Sequence, residues 1–192
     1  MPCPRRAGTV RFRRLDARDR TARLAHIERL GREARRARFL GTGPPADLPE
    51  PRLAVAAFVH TRLVGLGELW ALPDRSVAEL ALSVEPAFQN RGIGRRLFER
   101  LLAHARNRLF REVRTLCAEE NGPVLALLRR HRARIVAAPP EAHARLALLP
   151  PTPATMLLEA LDLGELLRER LLPGPGAAAA LGLAAWPNGD QA

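Results

Sequence analysis

Two glycines and three arginines stand together at the predicted start of a helix. In residues 89–96, QNRGIGRR, the absence of side chains at Gly92 and Gly94 lets an anion approach the backbone, and Arg91 adds positive charge. A helix N-terminus also leaves about four N–H groups without intrahelical partners and carries roughly half a positive charge. The pattern predicts a phosphate or pyrophosphate site, and the alternative is a tight turn without a ligand.

Two other phosphate-binding motifs do not fit this segment. A Walker loop requires a lysine before a serine or threonine, and the chain contains no lysine. A dinucleotide fingerprint, G-x-G-x-x-G, would need glycine where Leu97 stands. The helix start therefore has to be interpreted from its surroundings.

The surrounding segments predict a βαβ unit. Residues 78–84 alternate as a strand, with Leu80, Leu82 and Val84 on one face. A helix from Gly92 to about Arg108 follows, because apolar residues recur at steps of four. Residues 111–118 are predicted to form the next strand, parallel to the first.

The rest of the chain extends this unit into an α/β domain over residues 9–172, with a mixed, mainly antiparallel sheet, one parallel crossover and helices on both faces. The predicted elements are strand 9–14, a helical stretch from Asp16 that Gly31 divides in two, loop 41–51, strands 52–60 and 63–72, a helix from Asn121 to about His131, strands 133–137, 143–149 and 155–162, and a short helix 164–172. Residues 173–192 are low in complexity and are predicted to be disordered.

Composition limits the partners and the location. The net charge of +11 favours acidic partners, but aromatic residues make up only 4% of the chain, so stacking platforms for nucleic acid are missing. Cys3 and Cys117 are the only cysteines, and the histidines are scattered, so we expect no metal site and no disulfide framework. No signal peptide and no apolar run of about 18 residues is present, which predicts no membrane partner and, by default, the cytoplasm of a bacterium.

Residues 89–94 resemble motif A of the GNAT superfamily of acyl-CoA N-acyltransferases, Q/R-x-x-G-x-G/A. Gln89, Gly92 and Gly94 occupy its three fixed positions. The strand before the motif, the helix after it and the segment EENGPVLALLRR stand where this family has them, so that the resemblance covers roughly residues 9–162. Residues 10–39 and 120–130 also resemble bacterial protein lysine acetyltransferases of the Pat type.

The resemblance implies acetyl-CoA as the acyl donor and a pair of splayed strands that admits its pantetheine arm. The backbone of Leu82, Ser83 and Val84 would line this arm. Asn121 would contact the cofactor, although simple capping of the following helix explains it equally well. The pyrophosphate would be held by the backbone N–H groups of Gln89, Asn90, Arg91, Gly92, Ile93, Gly94 and Arg95.

Acyl transfer to an amine also needs a base, because a lysine amine with a pKa of about 10.4 is almost fully protonated at pH 7. Glu79 is the first candidate, since AELALSV resembles the AE-x-A strand of histone-type GNAT enzymes, in which the glutamate is the base. The competing interpretation is a solvated strand residue. Glu68 is the second candidate base. Glu119 and Glu120 are interpreted as a charged turn, with acidic substrate recognition as the alternative.

One departure from the family affects catalysis. Many GNAT enzymes protonate the leaving thiolate with a tyrosine, and here Leu128 occupies that position in a chain without tyrosine. Water would then protonate coenzyme A, or else the protein is a non-catalytic acyl-CoA-binding regulatory domain. The acceptor is left open between a protein lysine and a small amine, with polycationic amines disfavoured by the net charge. A monomer and a homodimer are both compatible with the sequence.

Overall fold

Seven strands and four helices make up the part of the chain that this computed structural model describes, residues 9–31 and 50–172. In chain order they are β1 Val10–Arg14, α1 Arg20–Arg29, β2 Leu53–Val59, β3 Arg62–Ala71, β4 Val77–Val84, α2 Ile93–Asn107, β5 Glu112–Ala118, α3 Gly122–Arg130, β6 Arg134–Ala138, β7 Glu141–Ala147 and α4 Pro153–Leu171, with 3-10 turns at Ala17–Asp19 and Pro86–Phe88.

The strands form one sheet in the order β1-β2-β3-β4-β5-β7-β6. Every neighbouring pair is antiparallel except β4 and β5, which run parallel and are joined through α2. The predicted mixed sheet with one parallel crossover is therefore confirmed. Strands β2 and β3 are buried on both faces, whereas burial alternates along β5 and β7.

Helix α2 packs closely on one face of the sheet because β3 offers it two glycines. Leu97 and Leu101 are fully buried there. A Cβ on Gly65 would lie 2.9 Å from Leu97 Cδ1, and one on Gly67 would lie 2.6 Å from Leu101 Cδ1. A side chain at either position would therefore require the leucine that packs against it to shift.

Helix α1 covers the opposite face of the same strand. Glu68 follows Gly67 and therefore points away from α2, and its Oε1 accepts a hydrogen bond from Arg23 Nε of α1 at 2.6 Å. Ile27 and Leu30 are buried beneath this helix. Helices on both faces were predicted, and the packing of α1 and α2 confirms them.

The predicted strand 155–162 is wrong, since these residues belong to helix α4. Thr152 caps this helix and Pro153 occupies its first turn. Its inward face carries Thr155, Glu159, Asp162 and Leu166 at helical spacing, while large apolar residues on the outward face are exposed. The prediction failed because a helix is recognised by apolar residues at helical spacing on its buried face. Here the buried face carries mainly polar residues.

Smaller differences concern the end of the sheet. Strand β7 spans Glu141–Ala147 rather than 143–149, and β6 spans Arg134–Ala138 rather than 133–137. The second half of the helical stretch after Gly31, most of loop 41–51 and the tail 173–192 lie outside the described residues. Among the described helices, none has the length and apolar character that a bilayer crossing requires.

Candidate functional site

The parallel strands β4 and β5 separate after a short contact. They pair only at Val77 with Glu112, Ala78 with Val113 and Glu79 with Arg114. Strand β4 then continues to Val84 alongside β3 alone, while β5 pairs only with β7. The backbone of residues 80–84 consequently has a strand neighbour on one side only, and its other edge faces the gap with donors and acceptors to satisfy.

The gap leads to the start of α2. Gln89 Nε2 donates to the carbonyl oxygen of Val84 at 3.0 Å, which fixes the turn to the end of β4. Gly92 is the N-cap of α2 with φ of 74°, in the left-handed region that favours glycine. The first helical hydrogen bond here runs from the Arg96 N–H to the carbonyl oxygen of Gly92. The N–H groups of residues 93–95 come before it and have no acceptor within the helix.

The two glycines of the motif have different explanations. The backbone conformation of the turn requires Gly92. Gly94 has no such requirement, since a Cβ there would lie at ordinary contact distances, 3.7 Å from Val84 Cγ2 and 3.8 Å from Leu82 Cδ2. Gly94 lies inside α2, where a glycine lowers helix stability. A tight turn therefore explains Gly92 but not Gly94. Without a side chain, Gly94 leaves the backbone N–H groups of this first helical turn open to close approach.

Glu79 lies at the point where β4 and β5 begin to separate. Its half-buried side chain lines a cleft of about 580 Å³ on the same sheet face as α1, where the lining comes mostly from β5, β6 and β7. Leu82 to Val84 and the turn at Gln89 follow further along the same strand, and a strand rises about 3.3 Å per residue. Glu79 and the Gln89 turn therefore lie at opposite ends of the free edge of β4.

The second candidate base lies in a different environment. Glu68 is fully buried and its carboxylate is held by Arg23 of α1. A carboxylate engaged in a buried ion pair is a poor proton acceptor, because protonation would leave the arginine uncompensated. Glu79 is therefore the better placed of the two. Glu119 and Glu120 are exposed in the turn after β5.

Residues 20–132 match the model of the acetyltransferase (GNAT) family. This match spans more than half of the chain and includes the splayed strands, the glycine turn and helix α3. The chain belongs to the GNAT family. It is therefore an N-acetyltransferase, as the motif predicted. No curated protein matches the sequence.

Solved structures share the GNAT fold at low sequence identity. The GNAT domain of S. lividans PAT is 19% identical with a TM-score of 0.63, over 73% of this chain and 92% of that one. An N-acetyltransferase from Staphylococcus aureus is 13% identical with a TM-score of 0.57, over 74% and 100%. PaiA N-acetyltransferase from Thermoplasma acidophilum, solved in complex with coenzyme A, is 16% identical with a TM-score of 0.55, over 72% and 99%.

Three further positions singled out in the sequence have clear structural settings in this GNAT domain. Asn121 Oδ1 accepts a hydrogen bond from the N–H of Val124 at 3.3 Å, so it caps α3. Leu128, at the tyrosine position, is 1% exposed and packs in the core. Cys117 is also in the core, and burial raises the pKa of its thiol. Among the described residues, no group of side chains could hold a metal ion.

The structure adds a buried polar network that the sequence did not indicate. Ser83 Oγ lies 3.0 Å from Nε2 of His26, whose Nδ1 lies 3.6 Å from Glu85. Arg29 and Arg62 hold the Glu85 carboxylate at 2.8 and 2.6 Å. The histidine is 57 positions from Ser83, so no local pattern could have joined them. This network fixes Ser83 on the strand that borders the gap.

His26 should make the stability of this domain depend on pH. Burial lowers its pKa to about 4, whereas an unfolded histidine has a pKa of about 6.5. The unfolded chain therefore binds a proton first as pH falls, and stability should be constant above about 6.5 and decline between about 6.5 and 4. Between pH 7 and pH 5 we expect a loss of about 2 kcal/mol from this residue.

Urea unfolding of the wild type and His26→Gln at both pH values measures this contribution. The difference in stability between pH 7 and pH 5 should shrink in the variant, whatever its absolute stability. His143→Gln, an exposed change, is the control and should keep the wild-type difference. Equal pH dependence in wild type and His26→Gln would show that this histidine does not stay neutral in the folded protein.

Proposed function

We propose that the chain transfers the acetyl group of acetyl-CoA to a primary amine by direct attack, with Glu79 as general base. The observation that carries the proposal is the continuity between the free edge of β4 and the turn at Gly92 and Gly94. A pantetheine arm can add backbone hydrogen bonds along such an edge. A pyrophosphate at its end would meet the N-terminus of α2.

Donor binding would rest mostly on backbone groups. Leu82, Ser83 and Val84 offer their edge to the arm, and the N–H groups of residues 89–95 offer theirs to the pyrophosphate. Asn121 follows β5, across the gap from β4. Its Oδ1 caps α3, so its amide nitrogen is the donor that it can offer to the cofactor. Arg91 and Arg95 are exposed beside the turn and add long-range attraction.

The chemical step follows from this placement. The Glu79 carboxylate takes a proton from the ammonium group, directly or through water, and the free nitrogen attacks the thioester carbonyl carbon. The tetrahedral adduct loses the second nitrogen proton to water and collapses with cleavage of the C–S bond, giving a neutral amide and the coenzyme A thiolate. Because a thiol with a pKa of about 8.5 is a tolerable leaving group, water can protonate the thiolate without a tyrosine.

A second candidate function is supported by one observation. Leu128 fills the tyrosine position with a buried apolar side chain, so a domain that binds acetyl-CoA without turnover remains an alternative. The resemblance of residues 10–39 and 120–130 to Pat-type protein lysine acetyltransferases supports a protein lysine as one acceptor class.

Purified protein with acetyl-CoA and a panel of lysine peptides and small amines tests the proposal. The expected result is protein-dependent release of coenzyme A together with a product heavier by one acetyl group. Tight binding of acetyl-CoA by calorimetry without transfer to any amine would instead favour the regulatory function. Absence of binding would contradict both.

Replacing Gly94 with aspartate should separate fold from cofactor binding. The new Cβ fits the available space, and an acidic residue in the first turn stabilises a helix by about 0.5 kcal/mol. The same carboxylate would compete with the pyrophosphate for the N–H groups, so we expect acetyl-CoA affinity to fall by about tenfold or more. Gly164→Asp, in an exposed stretch of α4, is the matched control. Calorimetry and urea unfolding measure both quantities, and unchanged affinity would place the pyrophosphate elsewhere.

A further inference from the structure

One row of side chains crosses five strands on the cleft face of the sheet. The pairing registers place Trp70 opposite Glu79, Glu79 opposite Arg114, Arg114 opposite Arg145 and Arg145 opposite Arg134. Directly opposed residues share a face. The row therefore runs from an aromatic ring through the candidate base to three guanidinium groups.

Two of the three arginines in this row have no ion-pair partner among the described residues. Like charges directly opposite each other destabilise a sheet. Arg114 pairs with Glu112 of its own strand, whereas neither Arg145 nor Arg134 forms an ion pair with any described residue. Both of these side chains are exposed and line the cleft of about 580 Å³ together with Glu79.

The next row supplies an apolar surface beside the charges. Leu116 and Val136 both lie opposite His143, two residues further along their strands. They are 36% and 56% exposed and line the same cleft. The cleft thus combines one carboxylate, a patch for an aliphatic stem and a positive row.

We propose that the acceptor is a primary amine that carries a carboxylate, which Arg145 and Arg134 bind while the amine meets Glu79. This rests on the proposed function. Strands lie about 4.8 Å apart, so Arg114, Arg145 and Arg134 stand about 5, 10 and 14 Å from the row position of Glu79. An amine and a carboxylate separated by an aliphatic stem of that length span the cleft. A free amino acid and a lysine with acidic neighbours in a peptide share this chemistry.

Matched acceptor pairs test the proposal. One arm compares 6-aminohexanoate with 6-aminohexanamide, and the other compares a lysine peptide flanked by glutamates with the same peptide flanked by glutamines. We expect kcat/KM to favour the carboxylate member of a pair by about five- to tenfold. The arm with the larger ratio identifies the source of the carboxylate. If the two members of each pair have equal kcat/KM, the proposal is overturned.

Substitutions of Arg145 and Arg134 test whether these residues cause the preference for an acceptor with a carboxylate. Arg145→Gln and Arg134→Gln should raise KM for the carboxylate acceptor with little change in kcat, and should not affect the amide acceptor. Arg129→Gln, an exposed change on α3 away from the cleft, removes the same charge and should preserve the preference. Survival of the preference in the Arg145→Gln, Arg134→Gln double variant would contradict the assignment.

A binding measurement separates this proposal from the proposed function. The product analogue 6-acetamidohexanoate carries the carboxylate but no amine, so its binding needs neither acetyl-CoA nor turnover. Calorimetry should show that it binds more tightly than 6-acetamidohexanamide, and that Arg145→Gln removes the difference. If no amine is acetylated but this difference is present, the anion site stands and the transferase assignment fails.

Discussion

Replacing Glu79 with glutamine is expected to lower kcat by about a hundredfold or more while leaving the affinity for acetyl-CoA unchanged. The substitution keeps the size of the side chain and its place in the cleft but removes its ability to accept a proton. The donor surface, formed by the β4 edge and the α2 N-terminus, lies further along the chain and is not altered. A large loss in kcat with normal donor binding is therefore the expected signature of a lost base.

The pH dependence of the variant adds a second readout. Without a base, only the fraction of acceptor that is already neutral can react, and a lysine amine has a pKa of about 10.4. The rate of Glu79→Gln should then rise about tenfold per pH unit between pH 7 and 9, and approach that of the wild type.

Two other glutamates provide the comparison. Glu119→Gln, in the exposed turn after β5, should have wild-type kinetics. Glu68→Gln is expected to act mainly on stability, because Glu68 is fully buried against Arg23. If a folded Glu68→Gln variant loses turnover while Glu79→Gln retains it, the base lies on β3 and not on β4.

The elements that the sequence predicted well are those with simple burial patterns. Leu82 and Val84 of β4 face Gly94 at the start of α2, and α2 itself carries Leu97 and Leu101 at a step of four toward the sheet. The glycine turn was also found within one residue, since α2 begins at Ile93 rather than Gly92. At these places the pattern of residue types along the chain matches the structure that forms, so the sequence alone is sufficient.

Contacts that depend on register could not be predicted. Glu79, Arg114, Arg145 and Arg134 come from four strands, and their alignment follows from pairings that a one-residue slip would reverse. The same holds for His26 and Ser83, which belong to different elements. Of this row, only Glu79 was predicted from the sequence, because it alone stands near a recognisable motif.

Helix α4 was predicted in part as a strand for a different reason, which is that its outward face is apolar and its inward face is largely polar. Asp162 is 1% exposed, and its two oxygens lie 2.8 Å from Arg100 Nε and 3.0 Å from His104 Nε2 of α2. Leu161, the preceding residue, is 59% exposed. Hydrophobicity alone would therefore assign the stabilising contacts to the wrong side of this helix.

Asp162→Ala is expected to destabilise the domain by about 3 kcal/mol, and Leu161→Ala by less than about 0.5 kcal/mol. Removing the carboxylate leaves the part-buried Arg100 guanidinium without its ion-pair partner and the buried His104 with Glu159 as its remaining acidic neighbour, which costs more than the lost attraction. Truncating an exposed leucine removes little buried surface. Urea unfolding of both variants beside the wild type measures the difference.

The reverse order of the two losses would contradict this account of α4. A large loss for Leu161→Ala would mean that the outward face, which also carries Leu157, Leu167 and Leu171, is covered in solution. A second copy of the chain is one such cover, and unfolding midpoints that rise with protein concentration would reveal it. With midpoints independent of concentration and the greater loss at Asp162, a buried charge network holds α4 against α2, and the apolar face contributes little to the monomer.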